Sequence, residues 1–206
     1  MPPKFKFTKE EIVKASVKVT ARLGLDSLNA RDIAKELGVS TQPVFTCFGS
    51  MDEAKKEVCK EVERTFDEYI MKGLQSEISF LGVGKAYIEF AKNEPKLYEL
   101  LFLSSSNEYR KNDAVMKNVQ RAVRPTLVNV YKISDEQADR LFRDMWIVVH
   151  SICSLVVTGT CPYNDDEITK ILTGFSLSVC KSLKKIDGFV DDSYDKNAVF
   201  GKIIGE

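Results

Sequence analysis

Apolar positions recur along this chain at intervals of three and four, the stripe of an α-helix facing a core. Thr8-Lys9-Glu10-Glu11 has the form of a capping box, and Ile12, Ala15, Val19 and Leu23 follow at helical spacing. Gly24 then stops the pattern, as a residue just past a helix end does. Asn29-Ala30-Arg31-Asp32 opens a second, short helix with Ile33, Ala34 and Leu37 inward and Gly38 at its end. Ser40 is placed to cap a third. Pro43 falls in its first turn, where an N–H has no intrahelical partner to lose, and Gly49 is expected to end it. Ser50-Met51-Asp52-Glu53 caps a fourth helix that runs to about Lys72.

Beyond "KGLQSEISFLG" the pattern restarts. Ala86 and Phe90 belong to a helix ending near Asn93, and Pro95 begins another that carries Leu97, Tyr98, Leu101 and Phe102. "LSSSNEYRKND" reads as a polar connection. A helix is expected over about 113–131, with a kink or break at Pro125. Ser134-Asp135-Glu136-Gln137 caps a long helix over 134–158, "GTCPYNDD" is a loop, and a last helix covers about 165–186. From 188 to 206 no period is visible, and the segment is read as a tail or an irregular packed piece. No sustained two-residue alternation appears, and no Asn-Gly or Asp-Gly turn joins two such runs, so strands are not expected. The expected class is all-α: an N-terminal three-helix unit containing a helix-turn-helix and a larger C-terminal helical domain. The divisions fall at 1–50, 51–74 (a connecting helix), 75–187 and 188–206.

Composition narrows the function. The chain has 206 residues, 44% apolar and 29% charged, which suits a soluble globular protein with its own core. Net charge is zero, so attraction to a polyanion has to be local. The five cysteines form no C-x-x-C pair and the single histidine, His150, stands alone, so neither a zinc site nor any other cofactor is expected. Scattered, odd-numbered cysteines fit a reducing cytoplasm. "MPPKFKFTKEE" has no apolar core of a signal peptide. The most apolar stretch, 145–157, is interrupted by His150, Ser151 and Ser154 and falls short of the ~20 residues a membrane span needs. No nucleophile elbow or phosphate loop is present, which argues against an enzyme.

The first-helix spacing, the stretch "NARDIAKELGVSTQPVFTCF", the aromatic-x-x-Phe pair Phe45 and Phe48, and the capped fourth helix resemble the DNA-binding domain of TetR-family transcriptional regulators. The motif covers about residues 8–60, and beyond it the likeness is one of helix layout. It implies a homodimeric, ligand-responsive regulator, usually a repressor, on a near-palindromic double-stranded operator. DNA contacts are then expected from Asn29, Ala30, Arg31, Ser40, Thr41, Gln42, Phe45, Cys47 and Lys55. Family members commonly carry Thr at the place of Asn29, a small residue at Gln42, Tyr at Phe45, His at Cys47 and Lys at Met51. Asn29 preserves capping chemistry. Phe45, Cys47 and Met51 each remove a usual phosphate partner, and Lys55 and Lys56 partly replace the charge missing at Met51. Gln42 has the donor-acceptor pair that suits adenine, and Thr41 can reach a phosphate or a thymine methyl. Val44 and Phe48, at i and i+4, are core. Lys4, Lys6, Lys9, Lys14, Lys18 and Arg22 outnumber Glu10 and Glu11 around the first helix, a local positive field beside a phosphate strand.

In the larger domain the resemblance implies effector binding and dimerisation. Tyr87, Phe90, Tyr98, Phe102, Met116, Phe142, Trp146 and His150 are the candidate lining for a small apolar or aromatic effector; each also reads as core. The helix over 134–158 is apolar all round, which calls for burial on every side. Val149, Ile152, Val156, Phe175, Ser178 and Ser182 are the candidate dimer contacts. Gly174, Ser178 and Ser182, four apart, permit close helix approach or form an exposed polar face. Two other readings stay open: a helical interaction protein with lost or altered DNA binding, and a regulator that senses through a thiol.

Overall fold

The computed structural model of the chain describes residues 7–104 and 114–204. Among these residues there are helices and no strand. They are α1 (Lys9–Leu23), α2 (Ala30–Leu37), α3 (Gln42–Cys47), α4 (Met51–Leu74), α5 (Ser79–Asn93) and α6 (Pro95–Tyr98). A π-helical turn (Glu99–Leu103), α7 (Ala114–Asn129), α8 (Asp135–Val157), α9 (Asp165–Lys185) and α10 (Lys196–Ile204) follow. Lys4, Lys6 and most of the polar connection lie outside the described residues.

Local chemistry sets most boundaries. The Thr8 hydroxyl accepts from the Glu11 N–H at 3.2 Å while the Glu11 carboxylate accepts from the Thr8 N–H at 2.7 Å. Ser134 and Gln137 repeat the arrangement at the start of α8, and Asn164 and Glu167 at the start of α9. Each such cap stabilises its helix by about 1 kcal/mol. Asn29 accepts from the N–H groups of Arg31 and Asp32, and Gly38 closes α2 in the left-handed conformation at φ +66°.

Four expectations change. Ser40 does not cap α3; Thr41 is the boundary residue, and its carbonyl accepts from Val44 and Phe45 at 3.1 and 3.2 Å. A serine cap at 40 would seek the N–H three residues on, and Pro43 has none. Phe48, in extended conformation, ends α3 instead of Gly49, whose N–H donates to Glu53 Oε2 at 2.9 Å. α7 runs unbroken through Pro125, with Val119, Val123 and Leu127 buried on both sides of it. Packing of that face outweighs the hydrogen bond the proline deletes. The C-terminal segment includes α10, and its preceding turn is held down by Arg140 of α8. That guanidinium donates to the carbonyls of Phe189 and Val190 at 3.0 and 3.2 Å, pairs with Asp192 at 3.0 Å, and lies 4.8 Å over the Phe189 ring.

One hydrophobic cluster runs from Ile12 in α1 to Leu183 in α9. At the head, Ile12, Val19, Ile33, Val44, Phe48 and Val58 are buried together. In the body Phe66 of α4 is the hub, its ring edge-to-face with Tyr87, Phe90 and Phe102 at 5.0–5.1 Å. α4 and α5 meet backbone to backbone: a Cβ on Gly73 would stand 2.6 Å from the Gly82 carbonyl oxygen. α6 packs against α1 and so ties head to body.

Candidate functional site

The short helix α3 is held by its apolar residues and shows the rest. Val44 and Phe48 are buried; Gln42, Phe45 and Thr46 are exposed, Phe45 at 54%. Thr46 was not among the sequence candidates. It lies one turn from Gln42, and its hydroxyl donates to the Gln42 carbonyl at 2.9 Å. Thr41 is half-buried and Ser40 exposed at the approach to α3. Arg31 projects from the start of α2. Three candidates are placed differently from expectation. Ala30 is buried, leaving only its backbone for a ligand. Cys47 is half-buried and packed on the core; burial pushes its thiol up, with the charges of Lys9, Glu53 and Glu57 bearing on it. Lys55 is half-buried and lines a groove shared by the α1–α2 turn, α6 and the end of α8. Asn29 spends its amide within the cap, donating to the Ser27 carbonyl at 3.1 Å and Asp32 Oδ2 at 2.6 Å.

The positive field around α1 is weaker than its local sequence implies. Lys9 pairs with Glu57 of α4 at 3.5 Å, Arg22 with Glu36 of α2 at 3.3 Å, and Lys14 with Glu10 at 3.1 Å. Lys18 stays exposed.

In the body, α5, α7, α8 and α9 enclose a cavity of about 500 Å³, within the usual range of small-molecule sites. Of the candidate lining, Tyr87, Phe142 and Trp146 form its wall, joined by Phe80, Met145 and Leu172. Tyr131, Cys180 and Lys184 lie together in the lining, with Ser176 about a turn before Cys180 along α9. Phe90, Tyr98, Phe102, Met116 and His150 do not line it. Phe90 and Phe102 pack on Phe66, and Met116 packs on the core. Val149, expected at a subunit interface, is buried in the protomer and lines the cavity, and Ile152 is likewise core.

Tyr98 and His150 serve a polar contact behind the cavity wall. The hydroxyls of Tyr87 and Tyr98 both lie 3.1 Å from His150 Nδ1. Tyr98 also lies 3.3 Å from the His150 carbonyl. Burial pulls the imidazole below its ordinary 6.5 and pushes the Tyr98 phenol up to about 12. A neutral imidazole beside a neutral Tyr98 phenol follows at pH 7. Tyr87 touches both cavity and histidine, and Tyr98 belongs to α6, which packs on α1.

An outer face of α8 and α9 carries apolar groups with no cover from this chain. Leu177, two residues from Phe175 and so on the other side of α9, lines the cavity; Ile147 is 58% exposed and Phe175 45%. Ser178 is exposed beside them, Ser182 and Val156 half-buried. Phe175 does not join the buried stripe of Ile168, Leu172, Val179 and Leu183.

Residues 80–173 match the family model for the tetracyclin repressor-like C-terminal domain. That segment, from α5 into the first half of α9, is thus a tetracyclin repressor-like C-terminal domain. The fold of a TetR-family transcriptional regulator from Streptomyces coelicolor is similar, with a TM-score of 0.69 at 13% identity over 96% of this chain and 97% of that one. The fatty acid degradation regulator FadR from Bacillus halodurans gives 0.60 at 15% identity over 89% and 98%. The multidrug binding protein EbrR complexed with ethidium gives 0.57 at 17% over 84% and 99%. These likenesses are of fold. No curated protein matches the chain in sequence. The cavity lies between the matched segment and the remainder of α9. Among the described residues no helix is long and apolar enough to cross a membrane, and no group of three metal-ligating side chains occurs.

Proposed function

We propose that the chain is a homodimeric transcriptional repressor that leaves a near-palindromic operator when a small apolar or aromatic effector fills the α5–α7–α8–α9 cavity. Residues 1–50 form the DNA-binding head, 51–74 the connection, 75–187 the effector and dimer domain, and 188–206 a tail. The observation that carries this reading is the exposed, uncharged face of α3, with Gln42, Phe45 and Thr46 presented by buried Val44 and Phe48. Such a face suits base edges, with phosphate contacts from Arg31, Thr41 and Lys18 around it. The Lys4 and Lys6 arm belongs to the same reading.

The effector acts by population shift. A ligand against Tyr87 changes the contact between Tyr87, His150 and Tyr98, and through α6 the seat of α1. Two copies joined through the α8–α9 face hold two α3 helices at a fixed separation. The ligand favours a separation that misfits the operator.

The test is a gel shift with the DNA upstream of the chain's own gene, at two salt concentrations. Salt-sensitive binding to one segment is expected; its absence on every segment sinks the regulator. The pairing of Lys9, Lys14 and Arg22 with carboxylates favours a second reading, a helical interaction protein with altered DNA binding, and the same experiment decides between them. A thiol sensor draws little support: Cys59 and Cys153 are buried, and burial raises Cys47 and Cys180.

A further inference from the structure

The cavity is apolar along its wall and charged at one end only. Phe80, Tyr87, Phe142 and Trp146 supply aromatic surface, and among the described residues no carboxylate lines it. Among the described residues that line it, the one basic side chain is Lys184, near the end of α9. Lys184 Nζ donates to the Tyr131 carbonyl at 2.6 Å, which fixes it at the mouth between α7 and α9. An ammonium carries three donors, so further ones stay available. Among the described residues no carboxylate pairs with it.

This arrangement discriminates by charge. A cationic ligand would bring its charge toward Lys184 with no counter-charge in the wall. A neutral ligand would fill the wall and leave the ammonium as it is. A ligand with an apolar body and one carboxylate satisfies both parts, because a charge-assisted bond at the mouth adds to apolar burial behind it. We propose that the cavity takes an apolar monocarboxylate, its acid group on Lys184 and its body against Trp146 and Phe142. The proposal rests on reading this cavity as the effector site.

Trp146 is the chain's one tryptophan and forms part of the wall, so its emission reports occupancy. The full chain is titrated with decanoate, 1-decanol and decyltrimethylammonium, each below its micellar concentration. Decanoate is expected to change Trp146 emission with at least about tenfold higher affinity than 1-decanol, the worth of one charge-assisted hydrogen bond. The ammonium amphiphile is expected to bind weakest. In Lys184→Met the tenfold advantage disappears while 1-decanol binding persists. Because Lys184 is exposed, this variant keeps its fold, which an unchanged thermal midpoint verifies. Equal binding of decanoate and 1-decanol, no binding of any probe, or an advantage that survives Lys184→Met overturns the proposal. Carboxylate-selective binding without any operator binding would leave the cavity chemistry standing and remove the regulator. Operator binding without carboxylate selectivity would do the reverse.

Discussion

At the residue scale, Gln42 and His150 carry different kinds of specificity. Gln42 is exposed on α3, and its amide can both donate and accept, the combination that pairs with adenine. Gln42→Ala is expected to relax base preference by about 1–3 kcal/mol at one operator position. Competition between the operator and single-base variants measures this, and an unchanged preference would move the reading role to Thr46 or Phe45. His150 is held neutral because burial disfavours its charged form. Its native pKa lies below the ordinary 6.5, so between those values the unfolded chain binds more protons. Stability from this group is therefore complete above about pH 6.5 and is lost as pH falls through the native value. Thermal midpoints should drop more steeply on acidification in the native protein than in His150→Asn; parallel curves would show that the imidazole is solvated. The lone histidine was visible in the sequence, but its two phenol partners lie 52 and 63 residues away and were not.

At the element scale, whatever depends on residues three or four apart was legible, and whatever depends on folding back was not. The capping boxes at Thr8 and Ser134 stand where the sequence places them, since both partners lie within one turn. Ser40 fails as a cap for an equally local reason: Pro43 has no N–H for its hydroxyl to accept from. Lys9 and Arg22 of α1 looked unopposed because their partners, Glu57 and Glu36, reach them from α4 and α2. Periodicity told that Phe90, Tyr98 and Phe142 face inward, not which of them border empty space; that depends on how four helices splay. The contact of α4 with α5 is likewise invisible to periodicity, yet it has a sharp consequence. A Cβ on Gly82 would collide with the Gly73 carbonyl and stand 2.8 Å from Ser76 Cβ. Ser76 could rotate its hydroxyl aside, but the carbonyl belongs to a helix and cannot. Gly82→Ala should cost about 1–3 kcal/mol by overpacking. Urea unfolding reads this directly, and an unchanged midpoint would mean the two helices do not touch there.

For the whole molecule, the uncovered face of Ile147 and Phe175 is where the proposed dimer would close. The sequence reading put Val149 and Ile152 at the interface because α8 is apolar all round. The protomer's own core uses both and its cavity Val149, while the uncovered Ile147 lies on the far side of α8 from them. A second copy placed isologously on this face buries Ile147 and Phe175 in a four-helix contact. Phe175→Glu is expected to give a monomer of unchanged helicity, with operator affinity reduced because two heads no longer bind as one. Sedimentation velocity with circular dichroism checks both; a dimer that survives the charge places the interface elsewhere.

The glycine contact between α4 and α5 also has a mechanical meaning. It clamps α4 at its body end, while its other end, Met51, adjoins α3. From Gly73 back to Met51 a helix rising 1.5 Å per residue spans about 33 Å. With one end pinned, α4 is a lever: a tilt of about 5° at the clamp displaces the head by about 3 Å. Two levers in a symmetric pair, swinging oppositely, change the gap between their tips by about 6 Å against a half-site spacing of about 34 Å. In the proposed dimer, a rearrangement at the cavity no larger than a side-chain shift would be enough to take both tips out of register with one face of the double helix.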